Sequence, residues 1–567
     1  MRGVIPGCWA TYPRYARQTR PGTLLPDPPW RSVAPSELLC EPAVTFRRMW
    51  WREGVIYQVY PRSFRDTSGN GVGDLPGIIE RLDHLEWLGV SGLWLNPTFP
   101  SPNVDWGFDV ADYRGVHPDF GTLEDLDRLV EEARRRDIRV LLDLVPNHTS
   151  DRHPWFQESR ASRDSPRRDW YVWAEPASGG GPPNNWLAVF GGSAWELDEA
   201  TGQYYLHNFA RQQPDLNWWN EEVRAEFDDI LRWWFARGIA GFRIDVAHGI
   251  VKDRELRDNP PAEPHDSLDE RTIGQRREHS LNRPEVHDVL RRWRSLANAE
   301  EPPRVLVGET WALDLERLAA FYGSADDELH LNFNFFFVEA PFEADTLSRI
   351  VADTERLFAP GSWPVWTLSN HDLSRFPTRW CGGDPAKARC ALLLLLTLRG
   401  TPVLYYGDEL AMQDTPVPAE LGTDVQDLEH KPRRDPSRTP MQWSAEPGAG
   451  FSAGEPWLPL GGHEAVNVAD QRQDSGSPLC LCRDLIALRR RHADLSTGAY
   501  RQLPAPEGAW AYRRGERLAV ALNLSAEPLA IGGIAGSVLV GTDRARDGQR
   551  QAGTLELAPW EGVLIES

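Results

Sequence analysis

The sequence predicts an α/β protein: a (β/α)8 barrel with an inserted subdomain after the third strand and a C-terminal all-β sandwich. Three observations lead there. Eight strands alternating with helices over about 400 residues favour a barrel over a doubly wound sheet. One internal stretch breaks that rhythm with Trp-, Gly- and Pro-rich turn chemistry. Near the C-terminus the pattern changes to short alternating strands, as a sandwich requires.

Residues 1–48 ("TRPGTLLPDPPWRSVAPSE" among them) carry prolines and arginines without periodicity, and are expected to form a mobile extension ahead of Met49. Strand character begins at "GVIYQVY", followed by helix "LPGIIERLDHLEWLG" and strand "SGLWLNP". Helix "TLEDLDRLVEEARRRD" and strand "IRVLLDLVPNH" complete the first part of the barrel, 49–150. Residues 151–212 are the expected insertion, and the barrel resumes over 213–495 with an irregular excursion at 411–470. Its helix–strand pairs are "RAEFDDILRWWFARG" with "AGFRID", "VHDVLRRWRSLANA" with "RVLVGET", "DTLSRIVADTERLF" with "PVWTLSNHD", and "AKARCALLLLLTLRG" with "TPVLYYGDE". "SPLCLCRDLIALRRRHADL" reads as the closing helix, and 496–567 as the sandwich.

Composition narrows the function classes. A formal charge of −21 repels phosphate surfaces, which argues against nucleic acid and anionic membranes and leaves neutral or cationic ligands. The 25 tryptophans serve mainly for packing, and exposed ones would also suit the flat apolar faces of sugars. The six cysteines (Cys8, Cys40, Cys381, Cys390, Cys480, Cys482) show neither zinc spacing nor disulfide density, so they read as reduced thiols of a cytoplasmic protein. The apolar run "CALLLLLTL" is about half a membrane span, which makes it a buried helix or strand. The N-terminus has no apolar region of the kind an export signal needs. Oligomeric state is not set by the sequence.

In "GFRIDVAH" (241–248) a period of two places Phe242, Ile244 and Val246 on one face, and Arg243 and Asp245 on the other. A charged pair on a strand otherwise fit for burial needs a target. Polar residues at the C-terminal strand tips of such a barrel read as catalytic. Four tips qualify: Asp143, Asn147 and His148; Arg243 and Asp245; Glu309; Asn370, His371 and Asp372. Three acids with no Ser–His or Cys nucleophile suit glycoside chemistry, in which one carboxylate attacks the anomeric carbon and a carboxylic acid protonates the leaving oxygen. Arg243 is expected to keep Asp245 ionised.

The ordered motifs "GVSGLWLNP", "DLVPNH", "QPDLNW", "GFRIDVAH", "VGET", "SNHD" and "GTPVLYYGDE" identify a resemblance to the α-amylase superfamily of glycoside hydrolases, specifically its oligo-1,6-glucosidase and α-glucosidase branch. It runs from about Met49 to the C-terminus. The resemblance implies Asp245 as nucleophile, Glu309 as general acid/base, and Asp372 as the third acid, binding sugar hydroxyls. It places Arg243, His148 and His371 around the sugar next to the cleaved bond. It also implies that Asp105 grips the outer hydroxyls of a terminal glucose, partnered by Arg438 of "RTPMQW", so that only a chain end is admitted. Phe108 stands where the branch usually has a stacking tyrosine. Val246 tends to accompany α-1,6 preference, whereas the longer "GFRIDVAHGIVKD" resembles α-glucosidases of maltose- and sucrose-type substrates. The implied enzyme is a retaining exo-α-glucosidase of short oligosaccharides or disaccharides, with isomaltose also in range and no organic cofactor. The alternative is a trehalose- or sucrose-converting transglycosidase or isomerase using the same intermediate. Lastly, "DTSGNGVGD" offers oxygen ligands at Asp66, Ser68, Asn70 and Asp74 with the Val72 carbonyl, which suits Ca²⁺, and the branch uses a similar loop for calcium.

Overall fold

Eight parallel strands form the centre of the chain, which the computed structural model describes for residues 49–567 other than 265, 267 and 427–432. The expected mobile extension, 1–48, lies outside the described residues. In chain order the strands are β1 (Ile56–Val59), β2 (Gly92–Leu95), β3 (Arg139–Leu144), β4 (Gly241–Ile244), β5 (Val305–Gly308), β6 (Leu331–Asn332), β7 (Val365–Thr367) and β8 (Thr401–Tyr405). Each pairs in parallel with the next, β8 pairs with β1, and a parallel bridge between Phe333 and Val365 joins β6 to β7. The sheet is therefore a barrel. β6 is the strand for which the sequence offers no segment of its own: two residues are too few to show a period.

Alternation along the strands separates the inside from the outside. Trp94, Leu141, Val305, Val307, Leu331, Val365 and Val403 pack together within the barrel. Their neighbours Leu93, Leu95, Val140, Leu142, Phe242, Ile244, Leu306, Trp366 and Leu404 pack outward under the helices. The same period turns Asp143 and Arg243 inward. β4 and β5 approach so closely that a Cβ on Gly241 would lie 1.9 Å from the Val305 carbonyl oxygen, so only glycine fits.

The helices follow from their own chemistry. Leu123–Arg135 starts in a capping box between Thr122 and Asp125 and buries Leu126, Leu129 and Ala133 on one face. Pro385–Thr397 holds the "CALLLLLTL" run and is buried on every side from Cys390 to Thr397, because strands of the C-terminal domain pack against it as well. Between β3 and β4 a small three-stranded sheet (Trp173–Ala174, Trp195–Asp198, Gln203–Leu206) forms the inserted subdomain with its own Trp186–Trp195 core. Beyond the last long helix, Pro478–Arg491, antiparallel sheets of six and two strands make the C-terminal β domain. Among the described residues no helix is long and apolar enough to cross a membrane.

Candidate active site

The tips of β3, β4 and β5 converge on one guanidinium. Asp245 and Glu309 are the first residues past β4 and β5, and their amides continue the ladder, donating to Leu144 O at 2.8 Å and Ile244 O at 3.0 Å. Arg243 Nη1 lies 2.6 Å from Asp143 Oδ1 and 2.7 Å from Asp245 Oδ1, and its Nη2 lies 2.7 Å from Glu309 Oε2. All four side chains are buried. Glu309 also accepts from the Val246 amide at 3.0 Å and from Trp311 Nε1 at 3.1 Å. Val246 leaves the period of two: it turns into the left-handed region at φ 47°, a costly conformation for a β-branched residue, and does not continue the face of Phe242 and Ile244.

One guanidinium among three carboxylates changes the protonation expected for Asp245. Burial pushes the Asp245 carboxyl well above its ordinary value. Arg243 opposes that push, while the Glu309 and Asp143 charges and a hydrogen bond with Glu309 reinforce it. Arg243 therefore does not by itself keep Asp245 ionised, because it is shared. Asp143 is likewise pushed up by burial, to about 7, against the pull of Arg243. Three carboxyls around one guanidinium act on one another, because the charge of each disfavours the charge of its neighbours.

Past β7, Asp372 stays charged. Burial alone would raise its carboxyl, but the positive groups around it outweigh burial and hold it below the ordinary range. Arg434 Nη1 is 3.2 Å and Arg438 Nη2 3.1 Å from Oδ1, and His371 Nε2 is 3.2 Å from Oδ2. Burial keeps His371 itself far below its usual value and so neutral, which leaves the two arginines as the effective charges. The partner of Asp105 is Arg434, not Arg438: Arg434 Nη2 meets Asp105 Oδ1 at 2.8 Å. Arg438 is fully buried and spent on His371 O at 2.7 Å and on Asp372. Arg434 is in turn gripped by Asp424 at 2.6 Å, and Gln213 Nε2 donates to Asp105 Oδ2 at 3.1 Å. Burial pushes the Asp105 carboxyl up despite Arg434 and Arg438.

These groups form one side of a pocket of about 110 Å³. Asp105, Phe108, His148, Asp245, Glu309, Asp372 and Arg434 line it, with Val189, Phe190, Phe209, Leu281, Trp311 and Leu373 as apolar walls. Arg243, His371 and Arg438 support the lining from behind it. Phe108 lies parallel on the His371 imidazole, with centroids 5.2 Å apart, so one face of its ring is already covered. Arg434, Asp424, Gln213 and Trp311 were not singled out from sequence. The signal for Arg434 was present, since it stands in the same "RDPSR" stretch as Arg438.

The predicted calcium loop is closed by hydrogen bonds. Asp66 Oδ1 accepts from Ser68 N at 2.9 Å, Ser68 Oγ at 3.0 Å and Gly69 N at 2.8 Å. Its Oδ2 accepts from Gly71 N at 2.8 Å and Ser452 Oγ at 2.6 Å. Asp74 caps the next helix through Gly77 N at 2.7 Å and holds Thr67, while Asn70 Oδ1 accepts from Val72 N at 2.8 Å. Burial would raise the Asp66 carboxyl, yet these donors outweigh it and hold it below its usual value. In this arrangement the side chains of Asp66, Ser68, Asn70 and Asp74 tie the loop to itself and to the helix that follows.

The family model described as alpha amylase, catalytic domain, matches residues 58–498, and one described as a domain of unknown function matches 497–564. A Rhizobium meliloti protein named "probable alpha-glucosidase" is 43% identical over 469 residues, covering 80% of this chain and 84% of its own length. An oligo-1,6-glucosidase of Heyndrickxia coagulans is 37% identical over 522 residues, covering 84% and 92%. Among solved structures, the alpha-glucosyl transfer enzyme XgtA superposes with a TM-score of 0.86 at 39% identity, covering 91% of this chain and 99% of its own.

Proposed function

The chain belongs to the α-amylase family of glycoside hydrolases, and from that premise we propose that it is a retaining, exo-acting α-glucosidase that releases glucose from the non-reducing end of short α-glucosides. The observation carrying this reading is a pocket with Asp245 and Glu309 on one guanidinium and the Asp105–Arg434 ion pair beyond them. The carboxyls of Asp245 and Glu309 each lie 2.7 Å from a nitrogen of the Arg243 guanidinium.

In the proposed reaction the sugar hydroxyls meet Asp372, Asp105 and Arg434, and the ring parts the two carboxyls. Glu309 carries the proton for the leaving oxygen, and Asp245 is a carboxylate on Arg243. Asp245 attacks the anomeric carbon as Glu309 protonates the glycosidic oxygen, so the ester bond forms while the glycosidic bond breaks and the aglycone leaves as an alcohol. Glu309, now a carboxylate, takes a proton from water, and the water oxygen displaces Asp245 with overall retention. The four described free thiols, all buried, are in keeping with a cytoplasmic enzyme.

Maltose, isomaltose, sucrose and trehalose, each followed by chromatography and by NMR of the first-formed anomer, test the reading. Release of α-glucose is expected, with maltose-type and sucrose substrates preferred over isomaltose; release of β-glucose would overturn retention. Asp245→Asn should lower turnover by about 10⁴-fold or more with an unchanged melting temperature, and a variant of normal rate would sink the assignment. A second reading, capture of the glucosyl-enzyme by a sugar or other alcohol, is favoured by the apolar walls of the pocket and by the likeness to a glucosyl transfer enzyme. New glucosides formed without free glucose would establish it.

A further inference from the structure

Lys252 is a buried charge outside the lining of the active-site pocket. It is 3% exposed and follows Asp245 by seven residues. Its Nζ donates to Asn147 Oδ1, to Gly249 O at 2.6 Å and to Ile250 O at 3.3 Å, and lies 2.8 Å from Asp215 Oδ2, so four acceptors surround its three hydrogens. An ammonium only donates. Asn147 must therefore present its oxygen to Lys252 and its amide nitrogen to the opposite side. That Nδ2 lies 3.2 Å from Asp215 Oδ2 and 3.0 Å from His148 Nδ1. A donor aimed at Nδ1 requires Nδ1 to be the unprotonated nitrogen of the ring.

The ring proton is then on Nε2, where the Phe108 carbonyl accepts it at 3.2 Å. Gln213 Nε2 lies 3.1 Å from Nε2, with its other hydrogen on Asp105 Oδ2 at 3.1 Å and its Oε1 held by Ala210 N at 2.9 Å, so each ring nitrogen faces an amide nitrogen and a neutral ring accepts from only one of them. Among the described hydrogen bonds the Phe108 carbonyl is the one acceptor at either ring nitrogen, and it favours the proton on Nε2. Double protonation would set an N–H against the Asn147 amide, and burial already pushes His148 down to about 4.

We propose that Lys252, acting through Asn147, is a positioning residue: it fixes His148, which lines the pocket, as a neutral ring with its proton on Nε2, to be shared between the Phe108 carbonyl and a hydroxyl oxygen of the bound sugar. The same ammonium ties together the tip of β3, the segment after Asp245 and the carboxylate of Asp215. Only the identity of the bound ligand rests on the proposed glucosidase reaction; the tautomer does not.

The test is long-range ¹H–¹⁵N NMR of the full chain labelled with ¹⁵N-histidine, with His148 assigned through His148→Gln. The wild-type ring should show protonated Nε2 and bare Nδ1 from about pH 5 to pH 8, without any substrate. Asn147→Asp places an acceptor opposite Nδ1 and should move protonation there. Lys252→Met frees the Asn147 amide to turn and should give mixed tautomers. In both variants KM for 4-nitrophenyl α-glucoside should rise about tenfold while kcat falls less, the loss of one hydrogen bond. A wild-type ring protonated on Nδ1, or an unchanged His148 signal in Asn147→Asp, overturns the proposal. So does a Lys252→Met enzyme altered only in melting temperature. The wild-type spectrum decides even if a variant fails to fold, and it stands apart from whether the substrate is a glucoside.

Discussion

Arg434 and Arg438 stand four residues apart, and their side chains have divided the work of the site. Arg434 reaches Asp105, Asp372 and Asp424 at once, whereas Arg438 backs His371 and Asp372 and never touches Asp105. A lysine keeps the charge but loses the fork that spans several carboxylates. Arg434→Lys should therefore raise KM for maltose by about tenfold with a smaller fall in kcat, since the binding end of the pocket is loosened. Arg438→Lys should act mainly on kcat, through the placing of Asp372. Steady-state kinetics on the two variants check this; a KM effect confined to Arg438→Lys would return the Asp105 partnership to Arg438. Sequence brought both arginines into one short stretch but could not separate them, because the choice depends on side-chain reach toward Asp105, 329 positions away.

Among the elements, the helix Pro385–Thr397 is the one on which barrel and C-terminal domain both depend. Its last carbonyls are orphans by construction, and buried arginines satisfy them and the chain just beyond. Arg489 donates to Leu396 O at 3.3 Å, Leu398 O at 3.1 Å and Gly400 O. Arg514, from the strand Ala509–Arg514, donates to Thr397 O, to Leu495 O at 2.7 Å and to Gly498 O at 3.0 Å. No carboxylate is bonded to either guanidinium among the described hydrogen bonds, and burial lowers both, Arg514 to about 10. The negative end of the helix dipole and the carbonyls stand in for a counterion. Arg514→Met strips donors from several buried carbonyls and should destabilise the protein by about 3 kcal/mol. Calorimetry should show a fall of several degrees in melting temperature while kcat at 25 °C is unchanged; equal melting temperatures would remove the arginine from this role. The sequence identified the helix from its apolar run, but the chemistry that ends it lies in another domain. β6 escaped for a different reason: a two-residue strand carries no periodic signal, and only closure of the ring defines it.

For the whole molecule, alternation of strands and helices, its interruption and its replacement by short strands were enough to foresee the architecture, because each is a local pattern repeated many times. The strand-tip acids were legible for the same reason: period two turns Asp143 and Arg243 inward, and the barrel brings the tips together. What stayed hidden depends on contacts between remote segments, such as Lys252 with Asn147, 105 positions apart, and Ser452 with Asp66, 386 apart. Net charge, by contrast, is legible without any contact, and it makes a prediction about substrate. A molecule of charge −21 sets up a repulsive field for anions that salt screens, with a Debye length of about 10 Å at 0.1 M. A neutral disaccharide does not feel that field at long range. Between about 0.02 and 0.5 M NaCl, kcat/KM for maltose should change by less than about twofold, whereas kcat/KM for a phosphorylated maltose should begin far lower and climb several-fold as the repulsion is screened. Equal turnover of the two sugars at low salt would show that the local arginines, not the overall charge, govern which substrates reach Asp245.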